Sequence, residues 1–246
     1  MKITFKIHFL FFISALFCFM TGLFKDFIIF TSIILIHELG HITSALIFNW
    51  PIEKIILLPF GGLTIFNQKI NSSLLQEFII AITGPIFQIV FFLTIGKNSQ
   101  LFTYYHYAIL FFNLIPIYPL DGFKILNIIL NKIISFKYSY LISLTFSIIN
   151  FLLLFTYIFF NKLNFLFLLI IFFLIKAVVL EYKNFKYLFN KFLFERYLYN
   201  IKYKKEKRIK GLNLSLMYRE KSHIFKIKNN YVLEDEILNK MFDINR

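Results

Sequence analysis

Cys18 is the only cysteine in the chain. A lone thiol excludes an intrachain disulfide and also a thiolate zinc site of the Cys-x-x-Cys type; in its apolar stretch Cys18 reads as a small hydrophobe. Carboxylates are scarce as well. Thirteen Asp and Glu face 27 Lys and Arg, a formal net charge of +14 over 246 residues, and Asp121 is the only acidic residue between Glu77 and Glu181. The first apolar run, Ile3 to Gly22, is followed by no Ala-x-Ala cleavage site and is too long for a signal-peptide core, so it reads as a retained span.

What the chain has in abundance is apolar surface. Hydrophobic residues make up 59%, with 36 Phe, where a soluble domain has about half. That composition excludes an ordinary soluble domain and marks an integral membrane protein. The bias toward Phe, Ile, Asn and Lys follows from an AT-rich genome and carries no mechanism. Runs long enough for a bilayer core of about 30 Å occur at Ile3–Gly22, Phe24–Phe48, Leu74–Ile95, Tyr138–Phe160 and Leu163–Leu180, with a shorter one at Leu101–Ile115. These predict an all-α polytopic membrane protein with about six transmembrane helices. Asn161-Lys162 is a short link between the last two. Between the second and third spans, Ile52 to Phe66 is rich in β-branched residues around Pro59 and Gly61-Gly62, and reads as a hairpin. Open strands cannot face lipid, so the hairpin lines a cavity or lies in the interface, where its edge can hold an extended peptide.

Chemistry concentrates in the second span. His37-Glu38-Leu39-Gly40-His41 is an H-E-x-x-H pattern: residues four apart share a helix face, two neutral imidazoles can hold zinc, and the adjacent carboxylate can take a proton from water. Packed core histidines are the bland alternative, but ionisable groups at bilayer depth cost about 2.5 kcal/mol or more each, and three together need a reason. Asp121 sits among apolar neighbours in Asn113-Leu114-Ile115-Pro116-Ile117-Tyr118-Pro119-Leu120-Asp121-Gly122. A buried lone carboxylate is metal-bound, paired or protonated, with Lys124 the structural alternative as partner. Two His and one carboxylate complete a known catalytic zinc set with a fourth position for water. Thr83-Gly84-Pro85 and Gln88 in the third span read as helix packing.

Together these residues resemble the site-2 protease family of zinc intramembrane metalloproteases, in particular its sporulation branch. The resemblance rests on His37-Glu38-Leu39-Gly40-His41, Leu58-Pro59-Phe60-Gly61-Gly62, Thr83-Gly84-Pro85 and Asn113-x-x-Pro116-x-x-Pro119-Leu120-Asp121-Gly122, in the family's order. It implies one Zn2+ per chain on His37, His41 and Asp121, Glu38 as general base, and Gly61, Gly62 and Asn113 along the substrate path. Phe123, where a second Gly often follows Asp-Gly, and Gln88, where Asn often follows Gly-Pro, depart from the pattern. The implied reaction is cleavage of a membrane-associated precursor near the cytoplasmic face, a sporulation pro-sigma factor in this branch. The alternative within the family is a general site-2 protease clearing signal-peptide remnants or cutting anti-sigma factors, although no inserted segment is large enough for a PDZ domain. A non-catalytic scaffold or transporter is the third reading, against which stands the complete set of ligands. An inhibitory membrane partner and a homo-oligomer are also implied by the resemblance alone.

Charge suggests the orientation. Sixteen of the 27 Lys and Arg lie in Glu181–Arg246, so the positive-inside rule puts both termini in the cytoplasm. Residues 1–181 read as the six-span protease domain and 182–246 as a basic, small cytoplasmic α+β tail. Its Lys191–Lys210 segment interleaves aromatic and basic residues and suits an anionic lipid surface rather than nucleic acid. Beyond it, strand-like Asn213–Tyr218 and His223–Lys228 and helix-like Leu233–Phe242 resemble the start of a CBS module, too short to bind nucleotide alone, with His223 expected at the surface.

Overall fold

The structure, a computed structural model, describes residues 4–58, 61–67, 69–160, 165–228 and 230–243, with side chains outside 157–169. Pro59, Phe60 and the Asn161-Lys162 link lie outside the described residues. The chain forms two compact units: Met1–Gln68 with Leu75–Ile115, and Lys69–Leu74 with Pro116–Arg246.

In the first unit, β1 (Thr4–Ile7) leads to helices α1 (Phe9–Met20) and α2 (Phe24–Ile47), then to the hairpin β2 (Ile52–Leu58) and β3 (Gly61–Phe66). Ile3–Gly22 is therefore not one continuous helix. Thr4 to Ile7 pair in parallel with Lys54 to Leu57, and the α1–α2 excursion provides the crossover that parallel pairing needs. His8 caps α1 by accepting from the Leu10 N–H at 3.3 Å. The 12 residues of α1 rise only about 18 Å, short of a bilayer core. The hairpin pairs Leu58 with Gly61 and Ile55 with Thr64, which leaves β3 as an outer strand in the order β1-β2-β3.

Helix α3 (Leu74–Phe91) runs through Pro85 and ends in a π-helical turn at Phe92–Gly96 before α4 (Gln100–Leu114). Among the described residues, three helices are long and apolar enough to cross a membrane: Phe24–Ile47, Leu74–Gly96 and Phe136–Thr156. The protein is a largely helical membrane protein, with two small sheets among the described residues.

The second unit contains α5 (Asp121–Ile133), α6 (Phe136–Phe160), α7 (Phe165–Tyr199), β4 (Glu206–Lys210), β5 (Ser222–Ile227), β6 (Asn230–Leu233) and α8 (Glu234–Phe242). On α6, Ser139, Ser143 and Ser147 are all fully buried, a small-residue stripe that permits close helix packing. Asn150 donates to Phe146 O of its own helix at 2.9 Å. The Asn213–Tyr218 run is not a strand: Leu214–Leu216 make a 3-10 turn, started by the Asn213 side chain accepting from the Ser215 N–H. Within Lys191–Lys210, Phe192 is buried in a core with Phe136, Met217, Phe225 and Leu238, so that part of the segment packs inward rather than lying on lipid.

His223 also overturns its expectation, being 1% exposed. Its Nε2 accepts from the Tyr218 N–H at 2.8 Å and its Nδ1 donates to Glu234 Oε2 at 2.7 Å. Burial lowers its pKa from the ordinary 6.5, with Arg196 and Lys221 acting in the same direction and Glu234 opposing. Burial pushes the Glu234 carboxyl up, but His223 and Arg196 outweigh it, and the net shift is downward from 4.5. For both groups the unfolded chain takes up protons first as pH falls, so stability is full above about pH 6.5 and declines below it. Hydrogen exchange at Ser222–Ile227 is expected to be slow at pH 7.5 and, after correction for intrinsic rates, faster at pH 5.5; equal protection at both would refute this linkage.

Candidate metal centre

Helix α2 is organised with its polar residues inward. His37, Glu38, His41 and Ser44 are buried with Ile33, Ile34 and Ala45, while Leu35, Leu39 and Leu46 are exposed. The buried positions follow the 3.6-residue period, so from Ile33 to Ile47 one face carries the titratable groups and every exposed residue is hydrocarbon.

The two imidazoles are set by their Nδ1 atoms. His41 Nδ1 lies 2.7 Å from Ile80 O, an acceptor only, so it carries the proton and leaves Nε2 with a lone pair. His37 Nδ1 lies 3.0 Å from Gln88 Oε1. The Gln88 amide is itself oriented, because its Nε2 donates to His106 O at 2.9 Å; its oxygen therefore faces His37, whose Nδ1 is also the protonated nitrogen. Both Nε2 lone pairs then face each other at 3.1 Å. Two acceptors do not hydrogen-bond to each other, and two Nε2 atoms converging at this distance are how a pair of imidazoles is arranged to share one metal ion. Two zinc–imidazole bonds of about 2.0–2.1 Å would place their nitrogens about 3.3 Å apart, close to the separation found. The donor set thus fits zinc, and Ile80 O and Gln88 are the outer partners that would hold the two histidines in orientation as ligands.

Glu38 completes the cluster: among the described residues, His37, Glu38 and His41 are a group of potential ligands whose atoms lie within 4.8 Å of one another. Thr64 of β3 donates to Glu38 Oε2 at 2.6 Å. Three glycines make room. A Cβ on Gly62 would sit 2.2 Å from Glu38 Cγ, one on Gly84 2.3 Å from His41 Nε2, and one on Gly40 2.4 Å from Thr83 O. The glycines of three sequence motifs thus meet at one centre, and Thr83 is tied to α2 again through Ser44 Oγ at 2.7 Å.

The other sequence-flagged residues lie on β3, α4 and α5. Gly61, at the start of β3, has open space beside its Cα, and Asn113 is half-buried at the end of α4. Asp121 belongs to the second unit, where it begins α5, is buried, and accepts from Lys124 Nζ at 3.1 Å. Phe123, the departure from Asp-Gly-Gly, is buried edge-on against Tyr118 and Tyr140, with ring centroids 5.3 and 5.9 Å away. Sequence reasoning missed Thr64 and assigned Gln88 to packing. The signal for Gln88 in the sequence is an uncharged polar residue within an apolar helix, and the structure finds it 0% exposed. Replacing it by Leu is expected to weaken zinc binding about 10–100-fold, the usual cost of losing an outer partner; a zinc-chelator competition titration measures this, and unchanged affinity would show that Gln88 only packs.

A membrane helix carrying two converging histidines and a carboxylate beneath a glycine-bearing strand has the donor set that a zinc metallopeptidase uses. The comparisons agree. Residues 26–96 match the model of Peptidase family M50. Over 162 residues it is 38% identical to stage IV sporulation protein FB of Bacillus subtilis, covering 61% of this chain and 56% of that protein. It is 35% identical over 127 residues to a zinc metalloprotease of Methanocaldococcus jannaschii, covering 46% and 35% respectively. The solved site-2 protease from Methanocaldococcus jannaschii matches with a TM-score of 0.59 at 25% identity, over 74% of this chain and 91% of that one. The chain spans about half, or less, of the length of these curated relatives.

Proposed function

We propose that the chain is a zinc-dependent intramembrane endopeptidase that cleaves a membrane-associated precursor near the cytoplasmic face. A sporulation pro-sigma factor is the substrate class suggested by the similarity to a stage IV sporulation protein. The observation that carries the reading is the pair of Nε2 atoms 3.1 Å apart, both Nδ1 atoms already committed, beside the Glu38 carboxylate. In this reading His37, His41 and Asp121 hold one zinc per chain. Bound zinc supplies a Lewis acid that polarises a peptide carbonyl and acidifies water to a pKa of about 7.

The residues of this chain do the rest. Glu38, with Oε2 fixed by Thr64, takes the proton of the attacking water and returns it to the leaving amine. A transmembrane substrate has its carbonyls occupied in helical hydrogen bonds and must be unwound before attack. Strand β3, outermost in its sheet, offers an edge on which an unwound segment can pair next to Glu38, with Gly61 and Gly62 allowing close approach and Asn113 along the path. Residues 1–181 form the protease domain in this reading. The basic region 182–246 and both termini are cytoplasmic, near anionic lipid; an inhibitory membrane partner and self-association follow from the resemblance.

Co-expression with a membrane-associated pro-sigma factor tests the proposal. Wild type is expected to yield the processed product, Asp121→Asn to yield none, and a chelator to abolish cleavage that zinc then restores. Processing that continues after zinc removal would contradict it.

A further inference from the structure

One stretch of the first half of the chain folds with the second. Lys69–Leu74 joins β3 to α3, yet it belongs to the compact unit that contains α5 to α8. Asn71 is the reason. Its main-chain N–H and its Nδ2 both donate to Glu195 Oε2, at 3.1 and 3.2 Å, and Nδ2 also donates to Phe192 O at 3.0 Å. Its Oδ1 accepts from Arg196 Nε at 3.0 Å, and its carbonyl accepts from the Tyr203 hydroxyl at 3.2 Å. Both polar atoms of the side chain and both of the backbone are thus spent on α7 and the segment after it. Asn71, Glu195 and Arg196 are 8%, 5% and 1% exposed, so water does not compete for these bonds. On either side the hold continues: Lys69 Nζ lies 3.3 Å from the Tyr199 ring centroid, Arg219 donates to Ser72 O at 3.1 Å, and Glu220 Oε1 accepts from the Leu74 N–H at 2.9 Å. Leu74 is the first residue of α3, so a carboxylate 146 residues away satisfies one of the helix's initial N–H groups and complements its dipole.

The two ends of this clamped segment run straight into the metal centre. Upstream, β3 carries Thr64 and Gly62 against Glu38; downstream, α3 carries Ile80, Gly84 and Gln88 against the two histidines. We propose that Asn71, with Glu195 and Glu220, is a positioning site through which the C-terminal unit sets the placement of β3 and α3 around Glu38, His37 and His41. The basic C-terminal region is then a working part of the peptidase rather than an appendage. The step from clamp to cleavage rests on the function proposed above; the step from clamp to β3 and α3 does not.

Hydrogen exchange on the full-length protein in lipid nanodiscs separates the two. In Asn71→Ala, amides of Gly61–Phe66 and of the first turns of α3 are expected to exchange about tenfold faster than in wild type, the effect of losing one charge-assisted hydrogen bond. Because Asn71→Ala removes a buried group and can impair folding, Glu220→Ala provides a milder arm with the same expectation, and Glu220→Gln, which retains an oxygen acceptor for the Leu74 N–H, is expected to return exchange to the wild-type rate. In Asn71→Ala and Glu220→Ala kcat/KM is expected to fall about tenfold, chiefly through kcat, with zinc content unchanged. Faster exchange confined to 69–74 and 195–220, with β3 and α3 as in wild type, would overturn the inference. Wild-type cleavage by Glu38→Gln would instead overturn the peptidase reading and leave the exchange result standing.

Discussion

Replacing Glu38 by Gln is expected to lower kcat about 10²–10⁴-fold, the contribution of a well-placed general base, while zinc remains bound. The substitution is nearly isosteric, and that matters here because Gly62 lies close enough that even a methyl group on it would strike the Glu38 side chain. Glutamine keeps an oxygen to accept the Thr64 hydroxyl, so β3 stays seated on α2. What is lost is the ability to take a proton. Since the substrate-pairing edge is untouched, KM should change little, and the loss should appear as a uniform drop in kcat and kcat/KM, the signature of an interaction made only in the transition state. Steady-state cleavage of a reporter substrate in proteoliposomes measures it; a wild-type rate would remove the carboxylate from the mechanism.

Arg196→Ala is expected to destabilise the C-terminal unit by about 3–5 kcal/mol, the cost of stripping one partner from a buried ion pair. Arg196 bonds Glu234 Oε1 at 2.5 Å, and its Nη2 donates to the carbonyls of Tyr218, Arg219 and Lys221 at 3.0, 2.8 and 2.9 Å. Without the guanidinium, a carboxylate and three carbonyl oxygens lose a charged donor in a region closed to water. Lysine should not rescue the variant, because a single ammonium cannot satisfy acceptors spread around a planar fork together with Asn71 Oδ1. Exchange protection across β4, β5 and α8 reports this directly, and full protection in Arg196→Ala would show that the surrounding apolar core suffices.

How much of this could be read from the sequence depends on range. The H-E-x-x-H face was legible because four residues of spacing fix a shared helix face, and the hairpin because β-branched runs flank a glycine pair. Ile3–Gly22 misled because hydropathy does not distinguish one long helix from a strand followed by a short helix; pairing of Thr4–Ile7 with the distant Lys54–Leu57 decided it. His223 read as a surface residue because its partner Glu234, its cap on Tyr218 and the neighbouring Arg196 meet only after folding. Gln88 and Thr64 carried the faint signal of polar groups in apolar runs, but their partners lie 51 and 26 residues away. Asn71 gave less still: it sits in a loop-like Asn-Ser-Ser segment, and its bonds to Glu195 span 124 residues.

The central claim, that the facing Nε2 atoms of His37 and His41 are a zinc site, is tested most directly by the metal content of the purified full-length protein. Elemental analysis should find about one zinc per chain in wild type and in Glu38→Gln, and less than about a tenth of that when His37 and His41 are both changed to Ala. Zinc retained undiminished in the double variant would contradict the account.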